Sequence, residues 1–385
     1  MRRRVLSAKR FAGFSVIFLA AFLCASLSSA AQSPAGPDKI GPWYRELQVD
    51  AFLSVTYGCN FNDPPSGRMS YRVFDTRAQR LRLDLASLTL QKPAAGPGDV
   101  GFRIDMGGGE SQPPATAARG FFRSATTGNA GHFDMEQVYV TYTASGGRGL
   151  RFDVGKFYAP IGYESVDRYD AYNDNVSRSF LFGYSAPFTT TGIKVSYPIS
   201  TSWSAMVMVV QGWDVVSDNN GGKTVGGQVV WSPDSDATYT FTYLGGPEQT
   251  GNDSNWRNVH DFCGTWKATP ALTLGLNADY GHERAALGPR QSASWYGAAG
   301  YVTFAFTDRF QVALRAELFD DPQGARTGTA QSLRELTISP TWRVGRHFIV
   351  RGDLREDWSN KDVFQKAGGF TDLQPTILFN VLFVD

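Results

Sequence analysis

Charged residues recur in this sequence two positions apart: Arg82 and Asp84, Arg103 and Asp105, Arg151 and Asp153, Arg315 and Glu317, and the run Arg351, Asp353, Arg355, Asp357. On a β-strand that spacing puts both side chains on one face, because successive residues point to opposite sides. Leu83, Ile104, Phe152, Ala316 and Leu354 stand between them and belong to the other face. A wall that is charged on one side and apolar on the other suits an aqueous passage bounded by something oily. Charges of both signs around such a passage can set up a transverse field that sorts ions; the plainer reading is solvated wall residues or cross-strand ion pairs. A second set of charges, Glu164, Arg168, Asp170 and Arg178, lies in the segment 158–188 together with Tyr158, Tyr163, Tyr169, Tyr172, Phe180, Phe182 and Tyr184. Long connections with this composition are functional more often than disordered. One apolar and one charged side fit a loop that packs inside the passage and narrows it, a lid over its mouth, or a contact with a neighbouring subunit.

Other chemistries lack their residues. There is no GxSxG elbow and no P-loop, and Gly107-Gly108-Gly109 is followed by no helical pattern that could cradle a phosphate. His132, His260, His282 and His347 are scattered, without metal-ligand spacing. No metal, nucleotide, haem or other cofactor is expected. A barrel enzyme of the lipase or protease type, with a Ser/His or Asp/His pair assembled across strands, and an adhesin or structural barrel remain the alternatives. Conductance in a planar bilayer, set against hydrolysis of lipid or peptide, separates them.

The elements that must carry these residues are strands. The chain has 385 residues, 42% apolar, 14% aromatic and 19% charged, with 41 glycines. A bundle of membrane helices would need several apolar runs of about 20 residues, and the mean hydropathy of −0.25 excludes it. The aromatic content excludes a disordered chain. From Leu47 onward the pattern alternates with period two. It predicts sixteen strands, at 47–58, 81–91, 100–106, 132–143, 150–157, 189–198, 203–212, 224–232, 236–244, 257–267, 271–281, 294–306, 309–319, 333–343, 347–358 and 374–384. Short and long connections alternate strictly between them, as expected of an outer-membrane barrel with short periplasmic turns and long external loops. Rows such as Leu272, Leu274, Leu276 and Phe310, Val312, Leu314 carry no charge and read as lipid-facing; Thr273, Ala313, Arg315 and Glu317 read as lumen-facing. Tyr57, Tyr142, Tyr197, Trp203, Trp231, Tyr243, Tyr280 and Trp342 fall near segment ends, where their rings suit the headgroup level. The fold expected is all-β: a transmembrane antiparallel β-barrel of about 16 strands over 47–385. Three details strain the pattern. The phase slips between Leu85 and Leu88, which predicts a bulge at Ala86-Ser87; Pro340 removes a ladder donor; and Lys156 falls on the lipid-facing phase.

The first 31 residues read as a cleaved signal peptide: Arg2, Arg3, Arg4, Lys9 and Arg10, then the apolar stretch Phe11 to Leu27, then Ser29-Ala30-Ala31. Residues 32–46 read as a short periplasmic tail. Removing the first 31 leaves 32 basic against 36 acidic residues, near −4, with no basic excess for nucleic acid. Cys59 and Cys263 lie far apart in the strand order and are expected to be free thiols. The partners implied are outer-membrane lipid, small polar solutes or ions, and the barrel-assembly machinery. The terminal segment alternates Phe379, Val381, Phe383 but ends Val384-Asp385, displacing the usual assembly signal by two residues. A homotrimer, common among 16-stranded barrels of this kind, is compatible with this reading.

Several stretches resemble the outer-membrane β-barrel porins of the OmpL-like, porin-2 type. They include Val49-Asp50-Ala51-Phe52, Asn60-Phe61-Asn62, Arg72-Val73-Phe74-Asp75, Leu88-Thr89-Leu90-Gln91-Lys92-Pro93, Gly101-Phe102-Arg103-Ile104-Asp105, Glu136-Gln137-Val138-Tyr139-Val140, Pro160-Ile161-Gly162-Tyr163-Glu164 and Gln211-Gly212-Trp213-Asp214. Each is short; their order along the chain carries the likeness, which is densest before residue 215. The resemblance implies a water-filled pore for passive diffusion in a bacterial outer membrane, and says less about the solute.

Overall fold

Backbone amides and carbonyls inside a bilayer find no water, so strands can cross only if every edge is paired. The computed structural model, which describes residues 43–385, meets that condition with sixteen strands in one closed barrel. The signal-peptide reading, and the tail except its last four residues, lie outside the described residues. The chain divides into two units, up to Leu47 and Gln48–Asp385; of the first, a short 3-10 turn, Trp43–Glu46, is described.

The barrel strands are β1 (Gln48–Asn60), β2 (Arg80–Lys92), β3 (Val100–Gly108), β4 (Phe133–Thr143), β5 (Arg151–Tyr158), β6 (Thr189–Pro198), β7 (Trp203–Val210) and β8 (Thr224–Trp231). They continue as β9 (Ala237–Pro247), β10 (Trp256–Lys267), β11 (Leu272–Glu283), β12 (Ala293–Ala305), β13 (Phe310–Asp321), β14 (Gln331–Arg343) and β15 (Phe348–Ser359). A small hairpin, β16 (Phe364–Lys366) and β17 (Gly369–Thr371), interrupts the last loop before β18 (Leu373–Val384). Each barrel strand pairs antiparallel with its neighbour, and β18 closes onto β1 with Phe52 opposite Val384. All sixteen predicted strands are present. The hairpin was not foreseen, because three-residue strands leave no periodic trace.

The two faces separate as the alternation requires. Leu314 is 37% exposed and its neighbour Arg315 is 0%; Leu276 is 44% exposed and Asn277 2%. Aromatic rings gather outside near the short turns: Trp203 stacks on Trp231 with centroids 5.7 Å apart, and Phe310 lies 5.6 Å from Trp342. Amphipathic rings at that level match the headgroup region. Cys59 and Cys263 are unpaired.

The expected bulge at Ala86-Ser87 is corrected to Asp84. Ser54 pairs with Leu85 and Val55 with Leu83, so Asp84 is the extra residue. The bulge lets both Asp84 and Leu85 serve the lumen. Asp84 accepts from Arg82 (3.1 Å) and Ser111 (2.6 Å), and Leu85 packs with Phe52, Ile349 and Leu382. A second bulge skips Glu136 between β3 and β4 and turns Glu136 and Gln137 both onto polar partners. Pro340 leaves a gap in the β14–β15 pairing, yet the register resumes unchanged at Thr341. Lys156, on the row read as lipid-facing, is buried: its ammonium holds Asp134 (3.0 Å) and the Met135 carbonyl (2.7 Å).

Arginine at an outward position near the middle of a strand should cost about 2–4 kcal/mol. Leu276→Arg and Leu314→Arg should therefore assemble poorly into vesicles, and Thr240→Arg, which borders a lumen cavity, should assemble normally. Heat-modifiable migration on gels reads the difference, and equal yields would overturn the face assignment.

Candidate pore constriction

The connection after β5 runs back into the barrel. It first ties itself together. Glu164 accepts from the Ser179 hydroxyl (2.6 Å) and amide (2.8 Å). Arg178 pairs with Asp167 (2.7 Å), and Asn173 bridges Asp167 and the Ser165 carbonyl. Ser179 then caps a single helical turn, α2 (Phe180–Tyr184; α1 is Gln112–Thr116), by accepting from the Phe182 amide.

The wall supplies the rest of the loop's partners. Arg315 of β13 reaches Glu164 (2.5 Å) and the Ser177 carbonyl (2.8 Å), and holds Glu335 of β14 (2.6 Å). Glu317 accepts from the Phe180 amide (2.5 Å). Asp353 accepts from the amides of Val176 (2.9 Å) and Ser177 (2.7 Å). Arg355 donates to the Arg178 carbonyl (2.5 Å) and pairs with Asp357 (2.7 Å); Arg351 donates to the Asn173 carbonyl. Tyr163 stacks on Tyr301 with centroids 4.1 Å apart. Gly275 makes room for it, since a Cβ there would sit 2.5 Å from the tyrosine ring. On the opposite side Asp170 meets Arg103 (2.7 Å) and Arg168 (2.6 Å), and Arg168 lies over the Tyr158 ring.

A second loop, 61–79, joins the network. Its Arg72 bonds Asp357 (2.7 Å) and Asp75 (2.5 Å), and Phe74 packs on Phe182 and Phe188. Burial by itself would raise the Asp75 and Asp167 carboxyls, but Arg72 beside the first, and Arg178 and Arg351 beside the second, hold both below the usual carboxylate range. Burial pushes the Tyr163 phenol up to about 12.

Space remains beside the loop. A cavity of about 410 Å³ lies between the loop and the wall, bordered by Arg103, Tyr139, Lys194, Gln228, Thr242, Asp261 and Cys263, with Tyr158, Glu164 and Arg168 on the loop side. Another of about 340 Å³ lies against Thr265, Tyr301 and Thr303, and the two share Gly162, Glu164, Ser165 and Cys263.

Of the residues expected from sequence to line the passage, Arg103, Glu164 and Arg168 border the larger cavity. Arg82, Asp84, Arg178 and Arg351 border a void of about 30 Å³, roughly one water. Arg315, Glu317, Asp353, Arg355 and Asp357 point inward but are covered by the loops. Asp105 lies behind Arg103 (2.9 Å). Arg151 and Asp153 stand at the short-turn end, where Asp153 also pairs with Lys194 (3.3 Å). Lys194, Glu335 and Arg72 were missed. The polar rows Thr190, Lys194, Ser196 and Glu335, Thr337, Ser339 carried a usable signal for two of them; Arg72, in a loop, had none. Among the described residues no group of three or more His, Cys, Asp or Glu could hold a metal ion.

The sequence profile of the family described as "Putative beta-barrel porin-2, OmpL-like" matches residues 46–384. Solved structures of similar fold include an anion-selective porin from Comamonas acidovorans (TM-score 0.59, 11% identity, 88% of this chain and 99% of that one). OmpF of Salmonella typhi, solved with daunomycin, is also similar (0.60, 9%, 89% and 99%), as is a trimer form of OmpT of Vibrio cholerae (0.55, 8%, 88% and 99%). At these identities the likeness is one of fold. No curated protein matches the chain.

Removing one partner from a buried pair leaves an uncompensated charge and costs about 3–5 kcal/mol. Arg315→Met should therefore lower the midpoint of thermal unfolding in detergent far more than Arg151→Met does. The acid response follows from Asp167. Its folded pKa is depressed, so its contribution is complete above the ordinary carboxylate pKa of about 3.9 and is lost only as pH falls through the lower folded value. The step that Asp167 contributes to the acid response of single-channel conductance should lie below pH 4, and Asp167→Asn should remove it.

Proposed function

The chain belongs to the OmpL-like porin-2 family of β-barrels, an outer-membrane porin by fold and family, and on that footing we propose that small polar solutes cross it through an eccentric slot rather than along the barrel axis. The slot runs between the inserted loop 159–188 and the wall from β3 round to β13, through the two cavities that share Gly162, Glu164, Ser165 and Cys263. Passage is passive, by diffusion down a gradient, and needs no catalytic group; the reading is non-enzymatic.

The observation that carries the selectivity is the set of charges left facing the larger cavity. Arg103, Arg168 and Lys194 border it. The nearby acids are committed elsewhere: Glu164 to Arg315 and Ser179, and Asp261 to Asn277 (2.6 Å). Asp170 is shared by two arginines. The cations are paired as well, Arg103 with Asp105, Arg168 with Asp170 and Lys194 with Asp153, so the preference rests on the lining itself: three cations against the two carboxylates Glu164 and Asp261 favour anions, since a charged constriction admits counter-ions and repels co-ions. The similarly folded Comamonas acidovorans porin is anion-selective by its own description.

Reversal potentials in planar bilayers test this. The wild type should prefer chloride to potassium, and Arg168→Gln with Lys194→Gln should shift the preference toward cations. Deleting residues 165–182 should raise single-channel conductance. Unchanged selectivity and conductance in these variants would place the slot elsewhere.

We further propose a homotrimer, on the analogy of the trimer form of the similarly folded Vibrio cholerae OmpT. Cross-linking in native membranes should give a species three times the barrel mass; monomer alone would end this reading.

A further inference from the structure

At the end of the barrel that carries the long loops, four arginines border a separate chamber of about 380 Å³: Arg119, Arg123, Arg257 and Arg326. Guanidiniums gathered in one partly enclosed space repel one another, so something must hold them there. Here the holders are rings and carbonyls more than carboxylates. Arg257 lies 4.8 Å from the Trp213 ring centroid; Arg326 lies 5.5 Å from Trp213 and 4.9 Å from Trp295. The two indoles meet edge to face, with centroids 6.5 Å apart. These two guanidiniums are thus fixed by cation–π contacts. Arg326 Nε also donates to the Tyr184 carbonyl (2.6 Å), and Arg123 donates to the carbonyls of Pro114 (2.6 Å), Ala117 (2.7 Å), Gly128 (3.0 Å) and Ala115 (3.3 Å). Among the four, only Arg257 has a carboxylate ion-pair partner within the described residues, Glu283 at 2.8 Å.

Two carboxylates border the same chamber, and both are turned to other donors. Asp214 accepts from the amides of Phe188 (3.0 Å) and Thr189 (2.9 Å). Glu248 accepts from the Trp213 amide (2.8 Å) and the Thr224 hydroxyl. Burial raises both from the ordinary carboxylate value. Burial, with Arg257 beside it, draws Arg326 down to about 10, still cationic at neutral pH.

We propose that this chamber is a capture site for small solutes bearing a carboxylate or phosphate group, which bind from outside before they enter the slot. A bound oxyanion relieves the repulsion among the guanidiniums, and their planar forks match it with paired charge-assisted hydrogen bonds. The indoles hold Arg257 and Arg326, and four carbonyls hold Arg123, before the anion arrives, so little ordering is left to binding. The consequence for transport rests on the channel reading above; the site itself does not.

Calorimetric titration of the full-length barrel in detergent at low salt, with succinate and inorganic phosphate as separate probes, tests the site. At least one probe should bind saturably, and the tighter one identifies the preferred oxyanion. Arg326→Gln should weaken binding at least tenfold. Arg119→Gln, at an exposed side chain whose loss leaves the fold intact, should weaken it about threefold, and Arg151→Gln at the short-turn end should leave it unchanged. No saturable binding of either probe, or equal binding by wild type, Arg326→Gln and Arg119→Gln, overturns the proposal. Conductance is read separately. A barrel that conducts without binding overturns this inference alone, and one that binds without conducting overturns the channel reading and keeps the site.

Discussion

Arg315 lies fully enclosed inside a membrane barrel, bonded to Glu164 of one inserted loop and to Glu335 of the neighbouring strand. A guanidinium out of water is tolerable only with partners on most of its donors, and here it has them: two carboxylates, the Ser177 carbonyl and hydroxyl, and the Thr337 hydroxyl. The dependence runs both ways. Loop 159–188 brings backbone amides into the lumen at Val176, Ser177, Phe180 and Leu181, and each needs an acceptor. Asp353 and Glu317 provide them. A long irregular segment can live inside the barrel because the wall offers it the acceptors that a neighbouring strand would otherwise offer.

From that junction the interior divides. The chain of contacts from Arg315 through Glu335, Arg355 and Asp357 to Arg72 binds loop 61–79 to the same side. Apolar groups follow: Phe180, Leu181, Trp295, Phe319, Leu333 and Phe364 form a packed cluster within the lumen. Gly281 lets Trp295 lie against the wall, since a Cβ there would come within 2.0 Å of the indole. Sixteen strands enclose enough room for an aqueous channel; with one side filled, the two cavities that flank the inserted loop lie against the wall from β3 round to β13.

Alternation along the chain was enough to establish every barrel strand, which face is apolar, and where the long loops lie, because lipid on one side and water or polar groups on the other constrain each residue by parity alone. Parity identified Arg315, Glu317, Arg351, Asp353 and Arg355 as inward. It could not say that two loops would cover them, since inward and water-exposed read alike in a strand. The bulge shows the same limit on a smaller scale. The phase slip was legible, but its position at Asp84 depended on Ser111 and Arg82 being there to receive the carboxylate and on Phe52 and Leu382 to receive Leu85. The arginines of the chamber beside Trp213 come from three separate segments of the chain, Arg119 and Arg123 from one, Arg257 and Arg326 from two others, and no local pattern joins them. Periodicity is a local property set by the solvent on either side of a strand; which charges meet, and which face open water, is set by contacts between residues far apart in the chain, such as Arg72 and Asp357, 285 positions apart, and only the folded barrel decides them.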